Sequence, residues 1–546
     1  MSSNRTLDRR AFVRGAGLLC AGMWAAPALA ITEAELFPVA TTRYGKIKGI
    51  TWSGIHAFKG VPYGASTAGR NRWKAPQPPA SWRGERECFD YGVISPQVTT
   101  DRRSEYSSLI MWDRHVGGVG EDMLTLNVWS RVAHADGGKR PVLVSFHGGG
   151  YTTGSGNAPG YDGDPLVRFE DVVVVSVNHR LGALGYLDLV GAGASAEFAD
   201  AGSVGLLDLV ASLKWVNENI ENFGGDPSRV FIFGQSGGGA KTSAIYSMPA
   251  AKGLFSRAAV QSGSALRGQT RETAAKAAQA LMKELGVTKA ERLVDVPWTK
   301  LLAAQQTVQA QGSAFSPVVV EGTAFGRHPF DPDAPPSSKD VPLIVSYTAD
   351  DAALRLTNFK IDAAGIKEGL TKQYDAAKAE RIFNAYRAEY PDISDYLINA
   401  RIATDTRNAR SVIKQLELKA AQPDGAACYQ YIWEWKSQGM DGKFGAVHGV
   451  DVQFSFHNAR GPLEGGAGME ARLMADRFAS AWVAFAKTGN PNNPALPEWP
   501  EWEPDQRIAM IFDINTRAVA RPHSRLQELW REVESAPVRG LTVTGV

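Results

Sequence analysis

The sequence predicts an α/β fold built on a large, mixed but mostly parallel central sheet flanked by helices. Three observations carry this. Pro141-Val-Leu-Val-Ser-Phe146, Val172-Val-Val-Val-Ser-Val177 and Arg229-Val-Phe-Ile-Phe-Gly234 are short, nearly continuous apolar runs, the pattern of strands buried on both faces. A glycine-rich loop follows each of the first two runs. Between the second and third, Leu206, Leu209, Val210, Leu213, Val216 and Ile220 recur at helical spacing, and Gly224-Gly225 supplies the stop.

Taken in order, short β-like runs over Thr41 to Ile50 and Ile55 to Val61 suggest an antiparallel edge near the N-terminus. The strand ending at Gly234 feeds a small-residue helix, Gly237 to Met248. Val341 to Ser346 reads as a further strand, Met469 to Lys487 as a strong helix, and Arg507 to Phe512 as a late strand. Two Ala/Lys/Gln/Glu/Leu-rich stretches, Ala274 to Gln311 and Ile366 to Leu418, read as helices inserted over the sheet, the second broken at Pro391 and Asp392. No linker is long or polar enough to divide the chain, so residues 31–546 are expected to form one domain.

The first thirty residues have another character. Arg9-Arg10-Ala11-Phe12-Val13-Arg14 precedes a short apolar run that ends in Ala28-Leu29-Ala30, so 1–30 reads as a signal peptide of the twin-arginine type, cleaved after Ala30. The expected destination is the periplasm or the outside of a bacterial cell. A membrane anchor is the alternative, but the run falls short of the ~20 apolar residues a spanning helix needs, and Pro27 interrupts it. No later stretch is apolar enough to span a bilayer. A net charge of +2, with 21% charged residues, gives no electrostatic case for a nucleic-acid partner. Of three cysteines, Cys20 leaves with the leader; Cys88 and Cys428 are taken as two separate buried thiols. No Cys/His cluster has metal-ligand spacing, and neither a metal nor another cofactor is expected.

Chemistry enters at Gly234-Gln235-Ser236-Gly237-Gly238, which matches G-x-S-x-G between a buried strand and a helix, the context of a nucleophile elbow. The pattern alone is weak and also describes a packed glycine turn. His147-Gly148-Gly149-Gly150, directly after another buried strand, strengthens it by matching a loop that supplies oxyanion donors. Such backbone N–H groups stabilise a tetrahedral oxyanion by ~3 kcal/mol each; Gly149, Gly150 and Gly237 are the candidates. A serine hydroxyl needs a base to take its proton and a carboxylate to orient that base. In folds with this elbow the order along the chain is Ser, acid, His, which leaves His328, His448, His457 and His523. His448 lies in Gly445-Ala-Val-His448-Gly449, a small-residue segment that can carry an accessible imidazole, while His523 follows Arg521-Pro522 in a polar tail. A lone histidine is more often a surface or core group than a base, so the residues alone leave the choice open.

A series of segments in sequence order carries a resemblance that covers nearly the whole mature chain. It comprises Phe58-Lys-Gly60-Val-Pro62-Tyr63, Glu121-Asp122-Met-Leu124-Thr-Leu126-Asn127-Val128, Asn178-His-Arg180-Leu-Gly182, Trp215-Val-Asn-Glu-Asn219-Ile220, Phe223-Gly-Gly-Asp226-Pro227 and Ala486-Lys-Thr-Gly489-Asn-Pro491. Together these resemble the type B carboxylesterase and cholinesterase-like family. The resemblance implies an α/β-hydrolase fold, Ser236 as nucleophile, His448 as base, and an acid just after the strand ending near Ser346. Where the family has D-E-G, this chain reads Ala349-Asp350-Asp351-Ala352. Asp351 takes the glutamate's place, with Asp350 as the alternative.

Other departures bear on substrate. Gln235 stands where the family often has glutamate, and Ser95 and Met123 where many relatives have a cysteine pair. Trp112 loosely resembles the tryptophan of cholinesterases and, with Gln235, is assigned to the substrate pocket or to simple packing. Glu121, Asp122, Arg180 and Asp226 read as structural. The expected activity is hydrolysis of a small-molecule carboxylic ester through a Ser236–His448–Asp351 triad and an acyl-enzyme. The alternatives are a non-catalytic binding relative, for which the retained Ser236, His448 and glycine loop would have no use, and an acyltransferase or lactonase with the same machinery.

Overall fold

The computed structural model describes residues 32–98, 105–111, 116–466 and 468–533. The expected leader, 1–30, and Trp112 lie outside them. The main sheet comprises β1 (Ile50–Trp52), β2 (Ile55–Pro62), β3 (Thr125–Ser130), β4 (Arg140–Phe146), β5 (Val173–Val177), β6 (Gly225–Gln235), β7 (Arg257–Gln261), β8 (Leu343–Thr348), β9 (Cys428–Trp433), β10 (Ala509–Phe512) and β11 (Arg517–Val519). Their spatial order is β11-β10-β9-β8-β7-β6-β4-β5-β3-β2-β1. From β10 across to β5 every pairing is parallel, while β3, β2, β1 and β11 add antiparallel edges.

Burial on both faces explains the unbroken apolar runs. Val142, Val144, Val173, Val175, Val230 and Ile232 pack into the core under the helices Val204–Asn219 and Gly237–Ser247. Their alternates Leu143, Val174, Phe231 and Phe233 pack with Phe478, Trp482 and Phe485 of the long helix Met469–Thr488 on the other face. Gly489, at φ 82°, ends that helix in the left-handed cap glycine favours.

The N-terminal run read as one strand divides in two. Val39–Thr42 and Gly45–Lys48 form a hairpin that belongs to a separate three-stranded sheet. β3, β7 and β9 are strands that the apolar runs did not mark. The two Lys/Ala-rich regions fold as helices, Arg271–Glu284 and Trp298–Ala310 in the first, and Ala363–Thr371, Ala376–Glu389, Asp395–Thr404 and Arg410–Ala420 in the second. A single π-helical turn, Asp405–Ala409, joins the last two. Cys88 and Cys428 are both buried and unpaired, and burial pushes each thiol up to about 12. Among the described residues no helix is long and apolar enough to cross a membrane.

Candidate active site

The carboxyl ends of the parallel strands gather the candidate residues on one edge of the sheet, where open α/β sheets bind their ligands. Ser236 lies between the last residue of β6 and the first of the helix Gly237–Ser247, at φ 59° and ψ −122°. A non-glycine residue held there stores about 1–3 kcal/mol of strain, which the packing around the turn must sustain. Part of that packing is legible in the glycines. A Cβ on Gly238 would lie 2.0 Å from the Phe146 carbonyl oxygen, and one on Gly234 would lie 2.5 Å from it. Ser236 N–H donates to the Gln261 carbonyl at 2.8 Å, tying the turn to β7.

The glycine loop after β4 turns through positive φ at Gly149 (83°) and Gly150 (61°). Its backbone meets the elbow so closely that a Cβ on Gly237 would fall 2.2 Å from the Gly150 carbonyl oxygen. Gly150 and Gly237 line one cavity with Ser236; Gly149 is not among its lining residues and lies behind, its carbonyl accepting from Thr153 N–H at 3.0 Å. Lys241, fully buried on the helix that Ser236 opens, donates to the His147 carbonyl at 2.8 Å. Burial holds this amine well below the usual lysine range.

Asp351 follows β8, and His448 sits on the loop after β9. His448 Nδ1 and Asp351 Oδ1 are 2.8 Å apart, with the carboxylate only 2% exposed. Asp351 also accepts from Thr348 Oγ1 at 3.2 Å and from the Asn408 side-chain amide. Ser236, His448 and Asp351 face the same cavity, of about 260 Å³. No hydrogen bond joins Ser236 Oγ to His448 among the described residues.

Asp350 faces away from that cavity. It is fully buried, accepts from Arg401 Nε at 2.9 Å and from Ala446 N–H at 2.8 Å, and its own N–H donates to the Ala446 carbonyl at 3.0 Å. It therefore clamps the loop that carries His448, as a positioning group. Beyond His448, Asp451 accepts from Tyr431 Oη at 2.6 Å, and burial raises its carboxyl to about 6.

The remaining sequence assignments divide. Gln235, expected in the substrate pocket, is buried and is not among the residues that line the cavity. Glu121 pairs with Arg72 at 2.6 Å and Arg180 with Asp208 at 2.6 Å, both largely out of solvent, the structural roles expected for Glu121 and Arg180. Asn408, Thr348, Lys241, Arg355 and Arg407 escaped the sequence reading. Only Lys241 had a signal, the lone charge in an otherwise uncharged helix rich in small residues.

Residues 37–530 match the model of the carboxylesterase family. The chain belongs to that family. It is 32% identical to the para-nitrobenzyl esterase of Bacillus subtilis (strain 168), over 83% of this chain and 90% of that protein. It is likewise 32% identical to the phenmedipham hydrolase of Pseudarthrobacter oxydans, over 89% of this chain and 97% of that protein. Among solved structures, a Geobacillus stearothermophilus carboxylesterase superposes with a TM-score of 0.76 at 32% identity, covering 90% of this chain and 99% of that one. The fold is that of the α/β-hydrolases, and the protein is a carboxylic ester hydrolase.

Proposed function

We propose that ester hydrolysis runs through Ser236 as nucleophile, His448 as general base and then acid, and Asp351 as the group that orients and charges against the imidazole. The contact of His448 Nδ1 with Asp351 Oδ1 at 2.8 Å, in the cavity that Ser236 faces, carries this reading. With Nδ1–H held by the carboxylate, Nε2 is left as the acceptor for the serine proton.

Ser236 Oγ attacks the ester carbonyl as His448 takes its proton. The resulting oxyanion is held by backbone N–H groups of Gly150 and Gly237, with Gly149 as the third candidate. His448 returns the proton to the leaving alcohol, and the acyl group remains on Ser236. Water, deprotonated by the same imidazole, then releases the acid. Asn408 and Thr348 donate to Asp351 and fix its orientation.

The test is turnover of p-nitrophenyl butyrate by the wild type and by Ser236→Ala, beside labelling with a fluorophosphonate and mapping of the adduct. Turnover and an adduct on Ser236, both lost in the variant, are expected. An adduct on another residue, or an undiminished variant, refutes the assignment.

The same reading treats 1–30 as a twin-arginine leader, supported by Arg9-Arg10 ahead of a short apolar run, and 31–546 as one folding unit delivered to the periplasm or beyond. The mass of the protein recovered from the periplasm of an expressing bacterium should begin at Ile31. Recovery of full-length protein in the cytoplasm alone would overturn that part.

A further inference from the structure

Two guanidinium groups line the cavity of Ser236 without a partner among the described residues. Arg355 closes the short 3-10 segment Asp351–Arg355, and Arg407 projects from the π turn beside Asn408; both line the cavity with Ser236 and His448. Both residues reach solvent, though packing partly shields Arg355, and among the described residues neither guanidinium makes a hydrogen bond or an ion pair. This is unusual for their surroundings. In the same covering helices Arg381 pairs with Glu532, Arg387 with Asp395 and Arg401 with Asp350.

Among the described residues the cavity offers them no free counter-charge. The one carboxylate among its described lining residues, Asp351, is engaged by His448 and Asn408. The rest of the described lining is mostly small or hydroxylic, including Ser262, Ser264 and Ser411, with Leu354 and Val412 as its larger apolar side chains and the His448 imidazole as its one ring. The two arginines also feel each other: burial first, and then the charge of Arg407, lower the pKa of Arg355, and only Asp351 opposes them. An anion entering the cavity would relieve that repulsion and meet planar donors suited to bidentate contact with a carboxylate.

We propose that the substrate is an ester bearing a free carboxylate, which Arg355 and Arg407 hold while the ester carbonyl rests at Ser236. A partial ester of a dicarboxylic or polycarboxylic acid has this form, with both groups within reach of one cavity of about 260 Å³. A charged cleft of this sign also concentrates anionic substrates, an effect that salt weakens. The inference rests on Ser236 being the nucleophile of an ester hydrolase.

The experiment compares kcat/KM for p-nitrophenyl butyrate with mono-p-nitrophenyl glutarate, which carries its carboxylate on the acyl side. It also includes 5-butyryloxy-2-nitrobenzoate, which carries it on the alcohol side. The wild type should prefer one of the anionic esters to its neutral counterpart by roughly tenfold or more at low salt, the scale of one charge-assisted contact. That anionic-to-neutral ratio should collapse toward one in Arg355→Gln/Arg407→Gln and survive in part in Arg407→Lys. Because it is a ratio, partial misfolding of a variant divides out. Hydrolysis of the butyrate with no anionic preference, or a preference unchanged in the double variant, overturns this inference alone. A folded wild type that hydrolyses none of the three overturns the reading beneath it.

Discussion

Glu464 is fully buried beside the Gln453 side chain, and burial lifts its carboxyl from an ordinary 4.5 to about 8. The folded protein therefore keeps it protonated at neutral pH, whereas the unfolded chain ionises it. Between those values the native state binds more protons than the unfolded state, so stability falls as pH rises from 4.5 toward 8 and then levels off. At 1.36 kcal/mol for each tenfold change in proton activity, the destabilisation amounts to about 3 kcal/mol at pH 7 and about 5 kcal/mol above pH 8. Glu464→Gln preserves the shape of the neutral acid and cannot ionise. Urea unfolding of wild type and variant should agree closely near pH 5 and diverge with pH, the variant being the more stable by about 3 kcal/mol at pH 7. Asp451, whose raised carboxyl loses stability over a lower window in both proteins, cancels in the difference. Stabilities that keep a constant difference from pH 5 to pH 8 would show that Glu464 ionises in the native protein as readily as in the unfolded chain, so that burial imposes no penalty on its charge.

Asp351→Asn should lower kcat by about 10³–10⁴-fold, because an amide favours the wrong imidazole tautomer, with little change in melting temperature. Asp350→Asn should act mainly on stability, by about 3–5 kcal/mol, since it leaves the buried Arg401 guanidinium without its partner. Denaturation and kinetics on both variants separate the two roles, and the opposite pattern would exchange the assignments. Lys241→Met removes the donor to the His147 carbonyl and loosens the glycine loop. Its kcat should fall about tenfold, the scale of one lost buried hydrogen bond, at nearly constant KM. An unchanged kcat would mean that the loop holds its shape without that contact.

What could be read from the sequence follows from where the physics is local. β4, β5 and β6 announce themselves because burial on both faces demands unbroken apolar residues, and the elbow because its close approaches admit only glycine at positions 234 and 238. β7 is hidden by its make-up: Ala258 and Ala259 have little strand preference, and Gln261 is a buried amide whose partners, Tyr431, Asp451 and Ser455, lie more than 150 residues away. β9 alternates aromatic residues with Gln430 and does not read as a continuous run. Asp350 and Asp351 are adjacent and chemically alike, yet one turns to Arg401 and the other to His448. That choice belongs to tertiary packing. Asn408 and Arg407 likewise carry no pattern, because nothing in Asp405-Thr-Arg-Asn-Ala409 marks a π turn.

That turn lets one nearly continuous rod serve two neighbouring carboxylates. Arg401, before it, reaches Asp350, and Asn408, within it, reaches Asp351. A π turn amounts to one extra residue in an α-helix, and each residue accounts for about 100° of rotation about the axis. Deleting one residue from 405–409 would swing the side chains on one side of the deletion by that angle relative to the other. Ser411 and Val412 would then present a different face to the cavity while β8 and its carboxylates stayed where they are. A change of this size is a single mutational event, so the roof of the cavity can be re-indexed in one step, and descendants of one scaffold can come to accept different acids wherever a donor to Asp351 is kept in the place of Asn408.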